Sequence, residues 1–129
     1  MKRSSFISIL ILFIFIIVVF TQQADAVAIA NSRVYTIPIK GEITPAMASF
    51  VKNQIEKANI EEAKGILIVV STYGGRVDSA IDIKDTILGS EIPVAVYIKD
   101  RAVSAGALIS IAADYIVMAP ASHLGAAEP

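Results

Sequence analysis

Cysteine is absent from the 129-residue chain, and histidine occurs once, as His123. The first absence excludes a disulfide framework, a thiol nucleophile and a Cys-type zinc site. It also leaves the fold to be held by its core alone. Clustered positive charge is missing too: 11 Lys and Arg stand among 12 Asp and Glu, scattered rather than grouped. Nucleic acid is therefore not an expected partner, because neutralising phosphates needs a basic patch.

Hydrophobic residues, by contrast, make up 55% of the chain, and the excess is concentrated at one end. Lys2 and Arg3 precede an apolar run from Phe6 to Phe20 broken only by Ser8, and Thr21, Gln22 and Gln23 follow. That order is a basic n-region, an h-region and a cleavage region, and Ala24-Asp25-Ala26 supplies the small-x-small pattern that signal peptidase reads. The expectation is export with cleavage after Ala26, so that residues 1–26 form a signal peptide and residues 27–129 the folded part. An uncleaved membrane anchor is the alternative, but the apolar run is shorter than the roughly 20 residues of a spanning helix. Without residues 1–26 the chain keeps 9 basic and 11 acidic side chains, a net charge near −2.

The spacing beyond this segment predicts alternating strands and helices. Val34 to Ile39 alternates apolar and polar residues as a half-buried strand does, and Pro38 places it near an edge or an ending. Thr44-Pro45 reads as an N-cap followed by the first helical position, and Met47, Phe50, Val51, Ile55 and Ala58 then fall on one helical face. Ile66 to Val70 is a continuous apolar run, read as a strand buried on both faces in a parallel sheet. Val77, Ala80, Ile81, Ile87 and Leu88 mark a second amphipathic helix closed by Gly89. Pro93 opens a strand from Val94 to Ile98. Ser104 to Ala113 is small and apolar on every side, which predicts a core helix. Tyr115 to Met118 is a fourth strand. The order β-α-β-α-β-α-β predicts an α/β fold with right-handed crossovers and a mostly parallel sheet. Ala121 to Pro129 holds no helix or strand that could finish the sheet, so the fold is expected to be incomplete at its C-terminus and the chain reads as an N-terminal fragment.

Two loops follow buried strands, where open α/β sheets bind ligands. In Ser71-Thr72-Tyr73-Gly74-Gly75-Arg76, paired glycines allow a turn with exposed N–H groups at a helix start, which can form an oxyanion hole or be an ordinary connection. In Asp100-Arg101-Ala102-Val103-Ser104-Ala105-Gly106-Ala107, Ser104 can be a helix cap or a nucleophile. The bare neighbours Ala105, Gly106 and Ala107 leave room for a substrate backbone, which a cap does not need. Lys99 reads as a solvated strand end and His123 as a surface or loop residue. Asp78, Asp82 and Asp85 recur near helical spacing and read as a polar helix face rather than a metal site.

Taken together, Ser-Thr-Tyr-Gly-Gly-Arg-Val-Asp-Ser-Ala, the later Ala-Val-Ser-Ala-Gly-Ala, and Ile-Val-Met-Ala-Pro-Ala-Ser-His-Leu-Gly-Ala-Ala-Glu-Pro resemble the protease domain of NfeD-type membrane-bound serine proteases. They are more distantly similar to signal peptide peptidase A and the Clp protease proteolytic subunit. The likeness runs over roughly residues 33 to 129, and three ordered motifs are far more specific than one. It implies a Clp/crotonase-like fold, Ser104 as nucleophile, Gly74 and Gly75 as the pair whose amides hold the oxyanion, and Ala105 as a second donor. The Clp subunit carries a histidine where this chain has Ala127. NfeD-type and signal peptide peptidase enzymes use a lysine, which would lie further along than Pro129.

The resemblance thus implies a serine peptidase with a Ser-Lys dyad and no metal or cofactor, exported and membrane-associated, acting on an apolar peptide or membrane-protein segment. It also implies a stomatin-type partner and a homo-oligomer. As a fragment without its base, the chain is expected to be inactive. A different class is a non-catalytic membrane scaffold that keeps the protease fold for binding. Crotonase-like acyl-CoA chemistry shares the fold and the glycine hole, but it conflicts with an export signal and with the lack of a glutamate near Gly74 or Ser104.

Overall fold

A computed structural model describes residues 12–14, which are helical, and residues 33–126. The expected signal peptide and its cleavage point lie outside the described residues except for that helical piece, as does Ala127. Residues from Arg33 onward form a compact unit of their own.

Its elements are β1 (Val34–Lys40), α1 (Pro45–Ile60), β2 (Gly65–Thr72), α2 (Val77–Leu88), β3 (Val94–Val103), α3 (Ala105–Ser110), β4 (Tyr115–Met118) and β5 (His123–Gly125). The expected alternation and parallel sheet are therefore present. The strand order is β1-β2-β3-β4, every pairing is parallel, and β5 joins β3 beyond the end of β4. Pro38 sits exposed in β1, on the edge of the sheet, where its missing N–H is tolerated. Thr44 caps α1 as its spacing predicts, its hydroxyl accepting from the Met47 amide at 3.3 Å.

Three expectations need correction. The strand from Ile66 to Val70 is not buried equally on its two faces: Ile66, Ile68 and Val70 are fully buried, while Leu67 and Val69 are half-buried. In register with them, Ile37 and Val96 flank Ile68, and the buried faces of α1, α2 and α3 join that same core. Strands laid down in one direction with same-handed crossovers put their helices on one side of the sheet, so a run of β-branched residues does not prove two covered faces. Next, β3 runs on to Val103, through residues read as loop, because it pairs again with Thr72 and with β5 after an irregularity. Lastly, β5 is a strand where none was expected. Three residues give no period to read, and only the parallel register opposite Arg101 to Val103 defines it.

Candidate active site

Ser104 is the single residue between the end of β3 and the start of α3. Its backbone has φ 54° and ψ −117°. A side chain with Cβ is rarely held there, and such a residue costs on the order of 1–3 kcal/mol unless its surroundings fix it. Here they do. The Ser104 amide donates to the Gly125 carbonyl at 2.9 Å, and the Ser104 carbonyl accepts from Ala107 and Leu108 at 2.9 and 3.2 Å. The hydroxyl makes no capping hydrogen bond and the residue is half-exposed. Ser104 is thus a strained residue on a sharp strand-to-helix turn, and its hydroxyl makes no hydrogen bond among the described residues. With only six residues in α3, a large macrodipole is not available.

The Gly-Gly turn lies directly against Ser104. A methyl group at Gly74 would stand 3.0 Å from the Ser104 Cβ, 3.1 Å from the Val103 carbonyl and 3.3 Å from the Ala105 amide nitrogen, and Gly74 has φ +113°. Any side chain there would crowd these atoms and strain the backbone. Gly75, at φ +156°, is pressed onto the Ile43 backbone, with which it forms an isolated parallel bridge. That bridge uses the Gly74 carbonyl and the Arg76 amide, at 3.0 and 2.9 Å from Ile43.

The two glycine amides differ in commitment. Gly74 N–H donates to the Thr72 hydroxyl at 2.9 Å, so it is not free to hold an oxyanion. Gly75 N–H and Ala105 N–H donate to no protein group among the described residues. The site thus brings together Ser104, Gly74, Gly75 and Ala105, with two uncommitted amides rather than three.

Thr72 organises this arrangement, and no pattern in the sequence marks it. Its fully buried hydroxyl donates to the Gly41 carbonyl at 2.5 Å and accepts from Gly74, while its methyl fills the space that a side chain at Gly106 would need. The bareness of Gly106 is therefore spent on Thr72, not on a substrate backbone. Beside the turn opens a cavity of about 570 Å³ lined by Lys40, Glu42, Tyr73 and Arg101 together with the glycines; Ser104 is not on its wall. Asp100 precedes Arg101 of the lining in β3. The Ser71 hydroxyl, then the Arg101 amide at 2.8 Å, hold its carboxyl below the usual carboxylate range.

His123 is exposed in β5 and paired in register with Arg101. Lys99 is exposed in β3. Asp78 accepts from the Ser79 amide at 2.7 Å and pairs with Arg76, whose guanidinium holds the Asp78 carboxyl below its usual range.

Comparison with known proteins agrees with the resemblance read from the motifs. Residues 33–129 match the family model described as NfeD1b, N-terminal domain. The membrane protein NfeD1b of Bacillus subtilis is 41% identical over 114 residues, which cover 88% of this chain and 26% of that protein. The membrane-bound protease PH1510 of Pyrococcus horikoshii is 36% identical over 78% of this chain and 24% of its own length. Among solved structures, a serine-to-alanine mutant of the 1510-N membrane-bound stomatin-specific protease superposes with a TM-score of 0.73 at 35% identity, over 78% of this chain and 50% of that one. A lysine-to-alanine mutant in complex with a substrate peptide has the same TM-score at 36% identity, over 78% and 47%. ClpP1 of Listeria monocytogenes has a TM-score of 0.59 at 31% identity, over 60% and 46%. The chain spans about a quarter of its curated relatives and half of the solved chains. Fold, order of motifs and family model agree: the chain belongs to the NfeD1b N-terminal domain family.

Proposed function

We propose that this chain carries the acylating half of a serine endopeptidase active site. Ser104 attacks the scissile carbonyl, and the amides of Gly75 and Ala105 hold the oxygen as it becomes negative. Gly74 contributes space rather than a donor. The proton passes to a lysine supplied from outside residues 33–126, neutral because burial lowers its pKa. A histidine base is disfavoured by the position of His123 in β5. The observation that carries this reading is the Ser104 backbone at φ 54° pressed against Gly74, since neither a cap nor a packing serine requires that conformation. Support for the serine-lysine pairing comes from the two solved neighbours, one with a serine and one with a lysine replaced by alanine.

The related protease is named as stomatin-specific, and that protein was captured with a substrate peptide. By extension, the substrate here is an apolar segment of a membrane-associated protein, with a stomatin-type protein as partner and a homo-oligomer as the working form. Export through residues 1–26 would place the site on the far side of a membrane. A fluorophosphonate probe is expected to label the full-length protein bearing this chain and to spare its Ser104→Ala variant. Equal labelling of both, or of neither, removes Ser104 from the chemistry.

A further inference from the structure

Between β2 and β3 the register breaks once. Val70 faces Ile98, yet Thr72 faces Ala102, so Lys99, Asp100 and Arg101 lie opposite the single residue Ser71. A bulge of this kind re-aims a side chain. Here it sends the Arg101 guanidinium over the ring of Tyr73, 4.4 Å from its centroid. The Asp100 carboxylate lies 3.6 Å from a terminal nitrogen of the same guanidinium. Tyr73 is otherwise bare, with 73% of its surface exposed. An exposed aromatic with one charged neighbour contributes little to a core, so stability of the fold does not explain it.

Sequence position gives the contact its meaning. Tyr73 immediately precedes Gly74 and Gly75, and Arg101 lies three residues before Ser104. The cation–π contact therefore ties the turn that carries one uncommitted amide to the strand end that carries the hydroxyl and the other. It does so on the cavity side, since both side chains line the 570 Å³ cavity. Thr72 and the bridge to Ile43 hold the backbone of the turn; the Tyr73–Arg101 contact adds a side-chain tie from the turn to the end of β3.

We propose that Tyr73 and Arg101 form a clasp that positions the Gly74-Gly75 turn over Ser104. Both are positioning residues and neither touches the reacting atoms. The inference rests on the peptidase reading for its consequence in catalysis, but not for its physical content. Opening the clasp frees the Tyr73 side of the turn from the end of β3, so that only the Thr72 and Ile43 hydrogen bonds keep the turn in place.

Hydrogen exchange over residues 71–76 of the full-length protein reads the clasp directly. Exposed cation–π pairs alter an equilibrium by about twofold to fivefold. Tyr73→Ala and Arg101→Ala are each expected to speed exchange in that segment by about threefold and to slow fluorophosphonate labelling by a similar factor. Exchange in β2 from Ile66 to Val70 should not change. Tyr73→Phe and Arg101→Lys, which keep a ring and a cation, should stay within about twofold of the parent. The double variant should be no worse than either single one, because the two side chains act through one contact. Unchanged exchange in Tyr73→Ala, or losses that multiply in the double variant, would overturn the clasp. Faster exchange in the alanine variants, when the probe labels not even the parent, would uphold the clasp and sink the Ser104 reading instead.

Discussion

Gly74 lies so close to Ser104 that a side chain at position 74 would crowd it. Any Cβ at Gly74 meets the Ser104 Cβ and the Val103 carbonyl and must also adopt φ +113°. Gly74→Ala is thus expected to lower unfolding stability by about 1–3 kcal/mol. It should also cut probe labelling at least tenfold, since relief of the clash moves Ser104 or the turn. A urea melt read beside the labelling rate separates the two effects, and a variant with parental labelling would contradict the contact. Asp100 illustrates a residue close to the site without a part in its titration. Its folded-state pKa is lowered, so whatever it contributes to stability is present above the ordinary aspartate pKa of about 3.9 and is lost as pH falls through the lower folded value. Asp100→Asn is therefore expected to leave the midpoint of the labelling profile between about pH 5 and 9 where it was; a shifted midpoint would implicate Asp100 in the proton transfer.

Elements were legible where their period was long enough to repeat. Thr44-Pro45 announces α1, Gly89 ends α2, and the run from Ile66 to Val70 marks a central strand. What escaped was set by register rather than by composition. The bulge opposite Ser71, the extension of β3 to Val103 and the strand β5 all exist because distant segments align, and no local pattern encodes that. For the site, the motifs singled out Ser104, Gly74, Gly75 and Ala105, but they could not say which amides are free. Thr72 decides that by binding the Gly74 amide, and a threonine at a strand end carries no signal of its own. Its importance can be measured. Thr72→Val keeps the shape but removes the hydrogen bonds to Gly41 and Gly74, which should cost about 1–3 kcal/mol, whereas Thr72→Ser should largely retain them. Equal unfolding midpoints for the valine and serine variants would show that the hydroxyl does not hold the turn.

At the scale of the whole domain, the fold is lopsided. Fully buried isoleucines and valines bind α1, α2 and α3 to one face of β1, β2 and β3, whereas all four residues of β4 are exposed. Tyr115, Ile116, Val117 and Met118 are apolar in succession and stand 65%, 40%, 52% and 45% exposed. One edge of β4 pairs with β3, and among the described residues no strand pairs with the other. Such an edge, apolar and without a charge or proline inside it, is a template for strand addition. A polypeptide of residues 27–129 alone is therefore expected to self-associate at micromolar concentration and to show little peptidase activity. Val117 shares its side of the sheet with half-buried Tyr97 rather than with the fully buried core, so Val117→Lys should add an edge charge without disturbing the packing under the helices. Sedimentation is expected to shift toward monomer in that variant while its circular dichroism matches the parent. A parent polypeptide that is already monomeric at tens of micromolar would show that β4 does not recruit partners through its open side.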